Sequence, residues 1–259
     1  MTKLKPVCAV AALAATASGG ALAESSASIG IMSDYIFRGV YTSDASAFAS
    51  IDLAADNGFY FGAWGADVQA GLEYDIYLGY AARRDEKFNW SVGFTGYYAT
   101  DEAFETSEEI NFGINFGIMS LDVAVGDYQS PVPAIVVGMD IDQTYTYVGA
   151  KWEPESGPYY FIGRTDYHLI NLPDAGYIPG TGSDGYWLEI GKSFEIMDGL
   201  EFSIAALYTP DAQNPEDAVW SVGPLDGFTG RSVYLSGTDP YAEYAMVMTI
   251  TKTIGGLGN

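Results

Sequence analysis

The chain has 259 residues, with 34 Asp plus Glu against 11 Lys plus Arg, a net charge of -23 at pH 7, which argues against nucleic acid as a partner. It is also 48% hydrophobic and 15% aromatic, too apolar for a disordered acidic tail. Its single Cys and single His exclude a disulfide framework and the residue clusters of zinc or iron-sulfur centres, so no metal and no cofactor is expected.

In chain order, the first element is a signal peptide over residues 1–23. Lys3 and Lys5 precede the small, apolar run Val7 to Ala17, and Ala21-Leu22-Ala23 fits the small-x-small cleavage pattern. The run is about half the ~20 apolar residues a membrane-spanning helix needs. Residues 24–259 are then the mature domain, free of cysteine. Loss of Lys3 and Lys5 takes the charge from -23 to -25.

Beyond Glu24 apolar residues recur with a period of two. Strands are expected over Ser28 to Phe37, Ala47 to Ala55, Phe59 to Val68, Leu72 to Tyr80, Asn89 to Tyr98 and Ile110 to Ile118. Others follow over Leu121 to Asp127, Thr144 to Trp152, Tyr159 to Tyr167, Tyr186 to Phe194, Leu200 to Tyr208 and Tyr241 to Ile254. Most have the ~9 to 11 residues of a bilayer-crossing strand. In the clearest case Ile110, Phe112, Ile114, Phe116 and Ile118 alternate with Asn111, Gly113, Asn115 and Gly117. A soluble sandwich would carry charges of both signs on its polar face. Here that face is mainly small, polar or acidic, as in a membrane barrel with lipid outside and a polar lumen.

Connection lengths supply a second test. The even-to-odd connections are Asp56-Asn57-Gly58, Arg83 to Lys87, Met119-Ser120, Pro154 to Pro158 and Ile196 to Gly199, all short. The odd-to-even ones include Ala99 to Glu108, Tyr128 to Asp142, His168 to Gly185 and Thr209 to Pro240, whereas Tyr41 to Ser46 and Gln69 to Gly71 are brief. This alternation matches short periplasmic turns and long outer loops. Lys151, Lys192 and Lys252 fall near the lower ends of descending strands, where a lysine on the lipid face can snorkel.

Three segments carry a family resemblance: Ser33-Asp34-Tyr35-Ile36-Phe37-Arg38-Gly39-Val40, Gly58-Phe59-Tyr60-Phe61-Gly62-Ala63-Trp64-Gly65 and Leu72-Glu73-Tyr74-Asp75-Ile76-Tyr77-Leu78-Gly79-Tyr80. In this order they resemble the TorF family of porin-like exported proteins of proteobacteria. The motifs cover roughly the first quarter of the mature chain. The resemblance implies an outer-membrane barrel with a pore function. The carboxyl end departs from the usual terminal aromatic residue of such barrels, and Ile254 has the parity to stand in for it.

The inferred lumen face carries Asp34, Glu73, Asp75, Asp122, Glu189, Glu201 and Glu243, opposed mainly by Arg38. Acidic rings favour cations in a pore. Alternatively, Asp34 pairs with Arg38 and satisfied polar groups fill a narrow barrel. Tyr35, Phe37, Tyr97, Tyr98, Tyr159, Tyr160, Tyr186, Trp187 and Tyr241 lie near strand ends and are expected to form interfacial girdles. Asp101, Glu102, Glu105, Glu108, Glu109, Asp211, Glu216 and Asp217 read as solvated loop residues, with bridging of divalent cations to lipopolysaccharide as the alternative. Pro131 to Val137 could constrict the lumen or lie on the rim.

The expected product is thus an all-β protein: a transmembrane antiparallel up-and-down barrel of about twelve strands, exported to a bacterial outer membrane. Its expected function is passive diffusion of small solutes or ions, with cations preferred and no catalysis. Outer-membrane lipids and lipopolysaccharide are its expected surroundings. The alternatives are a non-conducting structural or adhesive barrel and a lipid-modifying enzyme, for which His168 is the one conventional base.

Overall fold

The computed structural model describes residues 24–68, 71–83, 88–100, 106–129, 142–169, 185–209 and 244–255. Among them run twelve strands: β1 (Glu24–Phe37), β2 (Val40–Ala54), β3 (Phe59–Val68), β4 (Gly71–Arg83), β5 (Phe88–Ala99) and β6 (Ser107–Phe116), then β7 (Met119–Gln129), β8 (Asp142–Trp152), β9 (Tyr159–Leu169), β10 (Gly185–Met197), β11 (Leu200–Tyr208) and β12 (Tyr244–Gly255). Each pairs antiparallel with its chain neighbours. β1 closes the barrel on β12 from Ser26↔Gly255 to Met32↔Thr249. Closure gives every strand a neighbour on both sides, so the sheet has no edge strand, as a chain crossing lipid requires.

The period of two becomes a sidedness. Ile110 is 65% exposed while Glu109, beside it, is 3% exposed. On β4, Leu72, Tyr74, Ile76 and Leu78 face outward and Glu73, Asp75 and Tyr77 inward. The outer surface is a continuous belt of large apolar side chains. Water would penalise such a surface by about 25 cal/mol per Å², whereas hydrocarbon does not. The chain therefore reads as a membrane-spanning barrel. Inward glycines make room for rings lying along the wall: a β-carbon at Gly62 would overlap the Tyr77 ring.

Most expected strands recur within a few residues, and β3 and β11 match at both ends. The expected outer loop Tyr41 to Ser46 is instead strand. The chain reverses at Arg38 and Gly39, whose φ values of 50° and 81° suit a two-residue type I′ turn. The β6–β7 turn falls at Gly117-Ile118 rather than Met119-Ser120, because Gly117 readily takes a φ of 61°. β6 starts at Ser107, which moves Glu108 and Glu109 out of the loop, and His168 lies in β9 paired with Thr144.

β1 and β2 are the longest strands, at 14 and 15 residues. They also outrun their neighbours. β12 follows β1 only to Met32, and β3 meets β2 only from Phe48 onward. Residues 33–47 therefore form a two-stranded ribbon paired with itself, with a register shift between Tyr35 and Ile36. Such a bulge bends a strand. The ribbon turns into the barrel, where Tyr35 is 2% exposed and Ser43 and Ser46 are each 1% exposed.

Candidate functional site

The tip of the ribbon crosses the lumen. Ile36 packs against a cluster of Ala124, Tyr145, Tyr147, Trp187 and Leu207, drawn from β7, β8, β10 and β11. A β-carbon at Gly39 would lie 3.1 Å from Trp187 and from Thr209. The Phe37 ring lies 5.3 Å from that of Tyr97 on β5. In barrel order β7 and β8 stand opposite β1 and β2.

Arg38 fixes the tip chemically. Its Nη2 lies 2.9 Å from both Glu109 carboxylate oxygens. Glu109 also accepts hydrogen bonds from Tyr97 Oη at 3.0 Å and Tyr145 Oη at 2.6 Å. The guanidinium carbon lies 4.0 Å from the Tyr147 ring centroid and 5.0 Å from that of Phe37. A desolvated cation gains from such faces, and the carboxylate is saturated by donors, so both charges are accommodated out of water.

The remaining charged groups line the wall around this latch. Tyr35 Oη donates to Glu73 Oε1 at 3.0 Å, tying the ribbon to β4. Tyr77 donates to Asp52, and Tyr159 to Glu189. Lys151 lies inward near the end of the barrel that carries the β8–β9 turn, 2.9 Å from Glu153 and 4.5 Å from the Tyr159 ring centroid. A cavity of about 320 Å³ adjoins the ribbon, lined by Tyr35, Arg38, Asp52, Tyr60, Trp64, Asp75, Tyr77, Glu109 and Asp122 among others. Asp75 is nine-tenths buried, and its Oδ1 has no hydrogen-bond partner among the described residues.

Of the expected lumen residues, the structure brings Arg38, Glu73, Asp75 and Asp122 to this region and puts Glu189 and Glu201 on the inner face elsewhere. Asp34 is half-buried in the ribbon opposite Asp44. Arg38 pairs with Glu109, the residue assigned to a solvated loop, and not with Asp34. Glu243, Tyr241 and the segment Pro131 to Val137 lie outside the described residues. Asp101, Glu102, Glu105, Asp211, Glu216 and Asp217 lie outside them as well.

The aromatic girdle divides. Tyr98, Tyr160 and Tyr186 point outward, and Tyr98 stacks on Tyr74 and Tyr160 on Trp152. Tyr97, Tyr159 and Trp187 point inward and are buried, so the girdle expectation is corrected for them. The reason is pleat geometry: Tyr97-Tyr98, Tyr159-Tyr160 and Tyr186-Trp187 are adjacent pairs, and neighbours on a strand face opposite sides. Tyr35 and Phe37 leave the girdle because they belong to the inward ribbon. The same parity, counted back from Ile110, puts Glu109 inside; that signal was present in the sequence. Lys192 is on the outer face with Nζ near the Phe194 ring, two residues nearer the β10–β11 turn, and Lys252 donates to the Asp198 carbonyl in that turn at 2.6 Å. Both fit snorkelling toward the rim.

Comparison with known proteins gives a family. Residues 14–172, more than half of the chain, match the model of Gcw_chp, described as a bacterial protein of unknown function. The chain belongs to the Gcw_chp family. No curated protein matches it by sequence. Among solved structures, the NanC porin matches this Gcw_chp barrel with a TM-score of 0.53 at 10% identity, over 88% of this chain and 98% of that one. The KdgM porin gives 0.47 at 7% identity over 88% and 98%. OprD from Pseudomonas aeruginosa gives 0.39 at 10% over 83% and 62%. At such identities the likeness is one of fold, and the NanC match carries it.

Proposed function

We propose that this Gcw_chp barrel is a narrow outer-membrane channel for passive diffusion of small solutes, preferring cations, with the β1–β2 ribbon as its constriction. The observation that carries the reading is the contrast between the two faces of one closed sheet. The outside is an apolar belt, and the inside surrounds a cavity of about 320 Å³ lined by acidic, hydroxyl and aromatic side chains. Among the described residues Asp52, Glu73, Asp75, Glu109, Asp122, Glu189 and Glu201 face inward against Arg38 and Lys151. A low-dielectric wall focuses that excess of negative charge on any ion inside. The porin likeness supports the fold on which this reading rests, and the residues resembling TorF support an exported porin-like protein. In the same reading residues 1–23 are the cleaved export signal.

The test is conductance of the refolded mature protein in a planar bilayer under a potassium chloride gradient. A stable conductance whose reversal potential lies on the cation side is expected. Silence from a folded, heat-modifiable barrel would replace the channel by a structural barrel.

A further inference from the structure

The cavity beside the ribbon has a composition more specific than a water-filled pore requires. Among the described residues its acidic lining residues are Asp52, Asp75, Glu109 and Asp122, and its one basic lining residue is Arg38. Arg38 is already engaged with Glu109 and the Tyr147 ring. Asp52 accepts the Tyr77 hydroxyl. Asp75 differs. It is nine-tenths buried, it lines the cavity, and its Oδ1 has no donor among the described residues. A buried acceptor without a donor is costly to leave unmatched, and a ligand that brings an N–H removes that cost.

The walls around Asp75 are aromatic. Tyr35, Phe48, Tyr60, Trp64 and Tyr77 all line the same cavity. The Tyr35 and Trp64 rings lie 5.5 Å apart, and the Phe48 and Trp64 rings 6.2 Å apart, so they form a continuous surface. Aromatic faces attract cations and also cover an aliphatic stem. A carboxylate with an open acceptor, a net negative lining and aromatic walls together select a cation that has N–H donors and a short apolar body. Pockets that hold small molecules begin at about 300 Å³, which this cavity reaches.

We propose that this cavity is a binding site for a small primary ammonium compound, whose N–H donates to Asp75 Oδ1 while Tyr35, Tyr60, Trp64 and Tyr77 enclose its aliphatic part. The site deepens the channel reading by naming a solute class, and rests on that reading only in treating the bound cation as a transported one. A neutral sugar could stack on the same rings. The excess of carboxylates and the unmatched Asp75 oxygen favour the cation.

The test uses the refolded mature barrel in detergent, titrated at constant ionic strength and followed by tryptophan fluorescence and calorimetry. The probes are n-butylammonium, tetramethylammonium, 1-pentanol and glucose. Saturable binding of n-butylammonium is expected, with affinity at least about tenfold above 1-pentanol, the value of one charge-assisted contact. Tetramethylammonium, which has charge but no N–H, falls between them. Asp75→Asn is expected to remove the preference for n-butylammonium over 1-pentanol, whereas Glu108→Gln, exposed on the outer face where it accepts from Tyr98, preserves it. No saturable binding of n-butylammonium overturns the site. So does equal binding of 1-pentanol, tighter binding of glucose, or an unchanged preference in an Asp75→Asn barrel that retains heat-modifiability. The same preparations are then measured for conductance. Binding without conductance upholds the site and sinks the channel, and conductance without binding does the reverse.

Discussion

Arg38 and Glu109 form an ion pair inside the barrel. Their side chains are 11% and 2% exposed, so neither charge can recover its hydration if the other is removed. Arg38→Met leaves Glu109 with two tyrosine donors and no counter-charge, and is expected to cost about 3 to 5 kcal/mol. The double variant Arg38→Met/Glu109→Leu removes both charges and should lie closer to the wild type than the single one does. Denaturant unfolding of the refolded barrel, followed by tryptophan fluorescence, measures both. Equal losses in the single and double variants would show that the pair does not stabilise the fold mutually. Gly62 makes a different demand. Gly62→Val would push the Tyr77 ring away from Asp52, with an expected loss of about 1 to 3 kcal/mol from overpacking in the same assay.

At the scale of elements, the ribbon decides how open the lumen is. Its strands pair only with each other beyond Met32 and Phe48, and its tip is held by contacts to β5, β6, β8 and β10. Removing Tyr35 to Ser43 and joining the Asp34 and Asp44 pair through Asn-Gly keeps a competent type I′ turn. It also withdraws Phe37 and Arg38 from the lumen. Single-channel conductance at fixed salt is expected to rise by roughly twofold or more, since lumen width sets passage through a barrel. A shortened barrel that folds and conducts as the parent does would show that the ribbon is no constriction. The wall itself should tolerate the change, because β1–β12 and β2–β3 pairing lies below the excised segment.

At the scale of the whole molecule, the apolar belt predicts a depth-dependent response that water cannot produce. Ile76 lies in the middle of β4 and Leu72 near its outer end, and both face outward. In bilayers Ile76→Arg is expected to cost about 2 to 4 kcal/mol and Leu72→Arg about 0 to 1. Urea unfolding from vesicles gives both numbers. Two small, equal losses would mean that this surface does not face lipid.

Barrel class, strand number and sidedness were legible in the sequence because they depend on local facts. A period of two assigns each residue to one of two faces, and Gly, Pro and Asn mark where strands stop. The alternation at Ile110 to Phe116 already distinguished lipid from lumen. The adjacent pair Tyr97-Tyr98 cannot place both rings in one girdle, because neighbours on a strand face opposite sides. The partner of Arg38 was different in kind. Glu109 lies 71 residues further along the chain, and the two meet only because β1 and β2 outrun their neighbours and fold across a barrel already closed. Which carboxylate faces the guanidinium, and which one, Asp75, is left with an open oxygen, depends on distances across the lumen. Periodicity fixes a side chain's direction within its own strand, and only closure of the twelve-stranded sheet determines what stands opposite.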